Sequence, residues 1–364
     1  DADIIFKEIL RIDSTNIPTL LEKGKISFSQ KNFDIAKSFF EKILQIEPIH
    51  IEAISYKGKS LMNLGDFQES LNQFEKILEL IPNHIDSKKY RVELLYKLGR
   101  YDDAIKYASE VLDSTKDDSN IHQIKARSLF LLNDYSNAKK SFEDALKVSV
   151  HDFDSSYGIA LCHLRLENYD DAINFFDKAL EKIPNNFDAL FNKGVALTNL
   201  EKFYESIEYF DRAILQNSDN AEVYFHKGYS FFKLNNYAEA ISNFNESLKL
   251  VPKYFEAIHC KAVCLQKLGR LEESLDLYNM SLEIIPNHFD SIFNKGIILS
   301  SFKKYRDAIS CFDYALKNNP DDVDTLYNKA LSLVKINQTN TALQVFQRIL
   351  RLNPGHLNSL LQVG

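Results

Sequence analysis

Cys260 and Cys264 lie one helical turn apart with His259 beside them, and His226 stands 34 residues before Cys260. Thiolates and imidazoles so placed could seat a soft metal. A zinc site wants four well-spaced ligands, however, and a lone Cys on an apolar face is more often a small core residue, so no metal and no other cofactor is expected. A second set, Glu52, Asp86, Asp154, Asp188, Glu222, Glu256, Asp290 and Asp324, has the look of a carboxylate ladder for calcium or acid–base work. His50, His84, His288 and His356 form a third, and the amides of Asn192, Asn294 and Asn328, interrupted by His226 and Cys260, a fourth. No phosphate-cradling G-x-x-x-x-G-K-[ST], dinucleotide G-x-G-x-x-G, zinc-binding H-E-x-x-H or nucleophile-elbow G-x-S-x-G accompanies them. Nothing in the chain therefore marks a catalytic centre, and it is not expected to be an enzyme.

What these sets share is their spacing. Pro48, Pro82, Pro184, Pro252, Pro286, Pro320 and Pro354 are separated by 34 or multiples of it, and of the 8 prolines only Pro18 stands outside the register. Placing that proline at position 32 gives ten complete repeats over residues 17–356, with 1–16 as the second half of an earlier unit and 357–364 as the opening of a later one. Ala2, Phe6 and Ile9 fall in register in the first of these fragments. Position 8 is small in Gly24, Gly58, Ala126, Ala160, Gly194, Gly228, Ala262, Gly296, Ala330 and Gly364, with Val92 the bulky exception. Position 20 is Ala or Ser, position 24 is aromatic in all repeats but the third, which has Ala108, and position 28 is nearly always Leu. Positions 3, 7, 10, 11 and 14, then 17, 20, 21, 24, 27 and 28, follow a period near 3.6, so each unit is two amphipathic helices closed by the proline. In this frame the acidic ladder occupies position 2, where a helix begins and its dipole favours anions, and the regular histidines occupy position 34, the inter-repeat turn. Both sets thus read as helix starts and turn caps rather than chemistry.

A small residue at 8, an aromatic at 17 (Phe67, Tyr101, Tyr169), Ala at 20, Phe at 24 and Pro at 32 resemble the tetratricopeptide repeat, and the resemblance covers essentially the whole chain. It implies an all-α, right-handed α-solenoid superhelix of helix-turn-helix repeats, with first helices lining the concave face and second helices the convex one. One departure is notable. Position 7 is Lys or Arg in nearly every repeat, including Lys57, Lys193 and Lys295, and position 25 is often acidic. An antiparallel pair of helices places position 7 opposite position 25, which predicts Lys57 with Glu75 and Lys193 with Asp211. Repeats three and four lack the proline and carry Val92, Ala108 and the polar turn from Asp113 to Asn120, so looser packing is expected there. The chain starts and stops within repeats, and an expectation is that the protein extends beyond both ends.

Charge and composition limit the partners. With 44 basic and 51 acidic residues, a net charge of −7 and no basic block, neither nucleic acid nor an anionic membrane is an expected partner. Apolar runs such as Leu129 to Leu132 fall far short of the roughly 20 residues that span a bilayer, and 4 Cys in so long a chain fit a reducing, cytoplasmic setting.

Positions 2, 5, 9, 12 and 13 share one face of the first helix, and in the family that face binds ligands. In repeats one to four it mixes Lys25, Lys59, Lys89, Glu93, Lys97 and Arg127 with Phe28, Met62 and Tyr96. From repeat five onward it becomes apolar: Tyr157, Leu161, Phe191, Val195, Phe225, Tyr229, Phe232, Val263, Phe293, Ile297, Tyr327 and Leu331. Exposed apolar patches mark interaction sites. In arrays similar to the peptide-gripping arm of O-linked GlcNAc transferase, Asn at position 6 hydrogen-bonds an extended peptide; the resemblance gives that role to Asn192, Asn294 and Asn328. The two-carboxylate clamp of chaperone-binding relatives is missing, since repeats one to three offer Leu21, Lys25, Tyr56, Lys89 and Glu93 instead. The expected function is a protein-interaction scaffold that holds an extended peptide or an amphipathic helix. The alternatives are the substrate-recognition arm of a larger enzyme, such as a glycosyltransferase, and a scaffold that self-associates.

Overall fold

The computed structural model describes residues 2–363, and among these the regular elements are all helices. The packing of Ala2 and the position 8 reading of Gly364 lie outside the described residues. Two units are distinguished, Asp1–Pro184 and Asn185–Gly364. The first holds α1 (Ala2–Ile12), α2 (Ile17–Ser29), α3 (Phe33–Ile46), α4 (Ile51–Leu64), α5 (Phe67–Leu80), α6 (Ile85–Lys97), α7 (Tyr101–Ser114), α8 (Ser119–Leu131), α9 (Tyr135–Val148), α10 (Phe153–Arg165) and α11 (Tyr169–Lys182). The second holds α12 (Phe187–Asn199), α13 (Phe203–Gln216), α14 (Ala221–Lys233), α15 (Tyr237–Leu250), α16 (Phe255–Lys267), α17 (Leu271–Ile284), α18 (Phe289–Ser301), α19 (Tyr305–Asn318), α20 (Val323–Lys335), α21 (Thr339–Leu352) and α22 (Leu357–Val363). Within each unit every helix packs on its chain neighbours, the arrangement of an α-solenoid. First helices also approach one another, α2 on α4, α6 on α8, α8 on α10, and in the second unit α12 on α14, α14 on α16, α18 on α20; no second helix packs as closely on another. First helices therefore crowd one side of each unit, and that side is the inner face.

Local chemistry explains the helix boundaries. The residue at position 34 caps the next first helix: the Asn16, Asp118, Asp152, Asn186, Asn220 and Asp322 side chains each accept a backbone N–H of the first turn. His50, His84, His288 and His356 do the same through Nδ1 at 3.2 Å. Tyr254 alone at this position makes no side-chain cap. Between the two helices of each unit, position 15 takes the left-handed conformation, whether it is Gly (65, 99, 269), Asn (133, 235, 337) or a residue for which that costs more: Lys31, Glu167, Glu201 and Lys303. The following N–H then bonds back to position 11, as Asp66 to Leu61 at 3.0 Å and Lys202 to Leu197 at 2.9 Å, which closes the helix in a Schellman turn.

The core alternates small and large. Phe40, Phe74 and Phe176 in the first unit, and Phe210, Phe244 and Phe312 in the second, are fully buried at position 24. Each such ring contributes about 2–3 kcal/mol by burial. A Cβ on Gly194 would sit 2.6 Å from Phe210 Cε1, so the ring occupies the space a side chain would need. Repeat three reverses the scheme: Val92 at position 8 faces a core that also contains Ala108 at position 24, and both are completely buried in one cluster with Val111, Leu112, Ile121 and Ile124. At this pair the large and small partners have exchanged places and both are sealed in the core, while beside the 113–120 turn a space of about 270 Å³ opens among Leu112, Lys116, Asp117 and His122.

The ion pairs also differ from expectation. Position 7 meets position 25 of the preceding repeat, not of its own: Lys57 with Glu41 at 3.3 Å, Lys227 with Asp211 at 2.5 Å and Lys329 with Asp313 at 2.6 Å. Lys193, paired with Asp211 in the sequence reading, instead brings Nζ within 2.7 Å of Tyr209 Oη. The reason is geometric. A first helix packs on both its own second helix and the preceding one, and position 7 is on the side turned toward the latter. These pairs stitch repeats together, at about 0–1 kcal/mol each because one partner is well exposed.

Candidate functional site: the first-helix face

The residues assigned from sequence to the apolar wall lie on α10 of the first unit, which carries Tyr157 and Leu161, and on α12, α14, α16, α18 and α20 of the second. Phe191, Val195, Phe225, Tyr229, Phe232, Val263, Phe293, Ile297, Tyr327 and Leu331 are all half-buried, neither sealed in the core nor fully open. They divide into two kinds. The rings at position 5 lean on the core phenylalanine of their own repeat, Phe191 on Phe210, Phe225 on Phe244, Phe293 on Phe312 and Tyr327 on Phe346, with centroids 6.0–6.1 Å apart. Much of their area is committed to packing. Position 9 supplies Val195, Tyr229, Val263, Ile297 and Leu331 in five successive repeats, and these form an apolar strip along the face. Repeat seven adds an aromatic group in which Tyr229 lies 6.2 Å from both Phe225 and Phe232, with Phe225 5.1 Å from Tyr254.

The amide ladder runs beside the strip. Asn192 and Asn328 each donate Nδ2 to the backbone carbonyl one turn back, Asp188 and Asp324, at 2.8 Å. Asn294 is half-buried on the same face of α18. His226 takes the equivalent place in α14, within 5.2–6.0 Å of the rings of Phe191, Phe210 and Phe225. Burial among them pushes its pKa down to about 4, so the imidazole is neutral at ordinary pH. Burial pushes the thiols of Cys260 and Cys264 up to about 12, which disfavours the thiolate that nucleophilic attack needs. His259 is turned away from chemistry as well, its Nδ1 bonded to Ser291 Oγ at 3.0 Å. Among the described residues no three His, Cys, Asp or Glu side chains converge as a metal site, and no helix is long and apolar enough to cross a membrane.

In the first unit the same face opens into two cavities. One, of about 360 Å³, is lined by Tyr96, Arg127, Phe130, Tyr157 and Leu161, with Phe142 among its walls. Repeat five has Gly158 at position 6, where a Cβ would lie 2.5 Å from Phe142 Cζ, so the Phe142 ring packs directly on that backbone and the two form one wall. Arg127 and Asp154 form an ion pair at its wall, 3.3 Å apart. The other, of about 560 Å³, spans α2, α4 and α6 and is lined by Lys25, Phe28, Tyr56, Lys59, Met62 and Tyr90, among others. Lys25, Lys59, Phe28 and Met62 are legible on this face from sequence; of the position 6 tyrosines, Tyr56 reads there only as a departure from the chaperone-binding clamp and Tyr90 does not stand out. The signal was there: the same column later holds the amide ladder. Tyr56 stacks on Phe40 at 5.3 Å and Tyr90 on Phe74 at 4.6 Å, so each ring is anchored to the core of the repeat before it.

Within each unit, paired helices stacked in register with their first helices on one side define a helical-repeat interaction scaffold. Family models specify which kind. Tetratricopeptide repeat models match residues 17–50 and 61–128, the model for anaphase-promoting complex, cyclosome, subunit 3 matches 97–179 and 168–247, and that for the Psidin N-terminal TPR repeats region matches 226–357. The chain is a tetratricopeptide-repeat protein. Among solved structures, a tetratricopeptide repeat protein from Parabacteroides merdae is 15% identical with a TM-score of 0.51, over 68% of this chain and 98% of its own. The pilF protein of Pseudomonas aeruginosa is 20% identical with a TM-score of 0.50, over 57% of this chain and 95% of its own. YrrB, described as a TPR protein with an unusual peptide-binding site, is 23% identical with a TM-score of 0.47, over 52% of this chain and 97% of its own. The likeness to the first two is one of fold. No curated protein matches the chain.

Proposed function

We propose that the chain binds a segment of a partner protein along its first-helix face, in an extended or helical form, and that in the second unit the position 9 strip is the main contact. The observation that carries this reading is the strip itself: Val195, Tyr229, Val263, Ile297 and Leu331 stay half-exposed on one side of five consecutive repeats. Val263, Ile297 and Leu331 give part of their area to the core clusters of their repeats, and the remainder of each side chain stays open on the face. Asn192, Asn294 and Asn328 would add backbone recognition, since an amide offers both donor and acceptor. Three such bonds at about 0.5–1.5 kcal/mol each reach only millimolar-scale affinity, so the strip would supply the remainder. The test is capture of partners by the intact chain and by a Val195→Glu, Val263→Glu, Ile297→Glu variant. Loss of capture with unchanged helical circular dichroism is the expected result. Equal capture by both proteins would remove the strip from the binding surface.

A further inference from the structure

The 560 Å³ cavity of the first unit sets lysines, two tyrosine rings and apolar side chains side by side. Cations at position 9 are elsewhere neutralised by the position 2 acid of the next repeat, Lys25 by Glu52 at 2.7 Å and Arg127 by Asp154 at 3.3 Å. Lys59 has such an acid available in sequence, Asp86, yet forms no ion pair among the described residues. Its Nζ lies instead over the rings of Tyr56 and Tyr90, 5.0 and 5.4 Å from their centroids. Cation–π contacts place the ammonium without cancelling its charge. Phe28 and Met62 supply an apolar wall beside it. A cation and two phenol-bearing rings against apolar side chains form a site for a carboxylate that arrives with an apolar neighbour.

We propose that this cavity binds an acidic residue of the partner segment, Asp or Glu flanked by a large apolar residue, with Lys59 as the counter-charge. The proposal rests on the reading of the first-helix face as the binding surface and names the chemistry of one stretch of the bound segment. The chain has only 2 methionines, Met62 in the cavity and Met280, an exposed residue on α17, a second helix of the other unit. Methyl-labelled methionine therefore gives one reporter at the site and one control.

The probes are two fluorescently labelled peptides in a Gly-Ser context, one with a Leu-Phe-Asp-Leu core and one with Leu-Phe-Asn-Leu. The expected result is a saturable shift of the Met62 methyl resonance with the Asp peptide, an unmoved Met280, and affinity about tenfold weaker for the Asn peptide, as loss of one charge-assisted contact implies. Lys59→Gln should weaken the Asp peptide by the same factor and remove the preference for Asp over Asn, while Lys59→Arg retains it. Equal affinities for the two peptides, or a preference for Asp that survives Lys59→Gln, overturn the proposal. Fluorescence anisotropy reports binding anywhere on the chain: anisotropy change without a Met62 shift sinks this site but leaves the first-helix reading standing. Neither signal for either peptide up to millimolar concentration overturns the site.

Discussion

His226 illustrates how one side chain can belong to both the core and the candidate surface. It stands in the amide ladder, yet Phe191, Phe210 and Phe225 surround its ring and hold its pKa near 4 instead of the ordinary 6.5. Between those two values the unfolded chain takes up a proton that the folded chain refuses. Folding stability is therefore complete above pH about 6.5 and declines as the pH falls toward 4. The ring is partly open to solvent, so the loss is discounted to about 2 kcal/mol. Urea melts at pH 7 and pH 5 should show a smaller acid-induced loss for His226→Asn than for the parent. Some loss should persist in the variant, because burial also lowers the pKa of His163 and His259. Identical pH dependence in the two proteins would mean that His226 is not the buried neutral imidazole described.

At the scale of the element, the hairpin turn is where sequence and conformation disagree most. Position 15 demands a positive φ in every repeat, but Glu201 adopts it at 59° and Glu167 at 60° with a side chain that disfavours it. The Schellman bonds overrule the local preference, since they satisfy carbonyls at the end of α10 and α12 that would otherwise lack partners. Relief of this strain outweighs the greater chain entropy of glycine, so Glu167→Gly and Glu201→Gly should each stabilise by up to about 1 kcal/mol, and the two should add. Thermal melts that fall for either variant would contradict the left-handed assignment. Helix starts show the opposite, agreement of sequence and structure. His at position 34 takes the place of Asn or Asp because its Nδ1 accepts a first-turn N–H, from Ala53 in the case of His50 and from Ser291 in the case of His288.

For the whole molecule, stability is a sum over repeats and the interfaces between neighbours. Ion pairs such as Lys227 with Asp211 and buried rings such as Phe244 act between neighbouring helices of the same or adjacent repeats. Residues 1–184 and 185–364 each contain their own complete set of such steps. Expressed separately, each unit should retain a helical spectrum and a cooperative melt, at a lower temperature than the intact chain because fewer interfaces contribute. A unit that gave no cooperative transition would show that the division does not reflect independent stability. Peptide capture can then be assigned to the lysine-bearing cavity of the first unit or the aliphatic strip of the second.

A period of 34 residues was enough, in the sequence alone, to determine the helices, their pairing, the alternation of small and large core positions and the tetratricopeptide family. Such features are local or repeat at fixed intervals, so hydrophobic periodicity and turn chemistry carry them. The position 2 acids and position 34 histidines were readable as helix starts for the same reason. Which repeat a side chain faces is not local. Lys57 reaching Glu41 in the repeat before it, Val92 exchanging volume with Ala108, and Lys59 settling over Tyr56 and Tyr90 rather than on Asp86 all depend on how a first helix wedges between two second helices. The cavities are likewise products of that packing. Gly158 and the position 6 tyrosines acquire meaning only when neighbouring repeats have closed around them, because an open volume is defined by the walls that successive helices bring together.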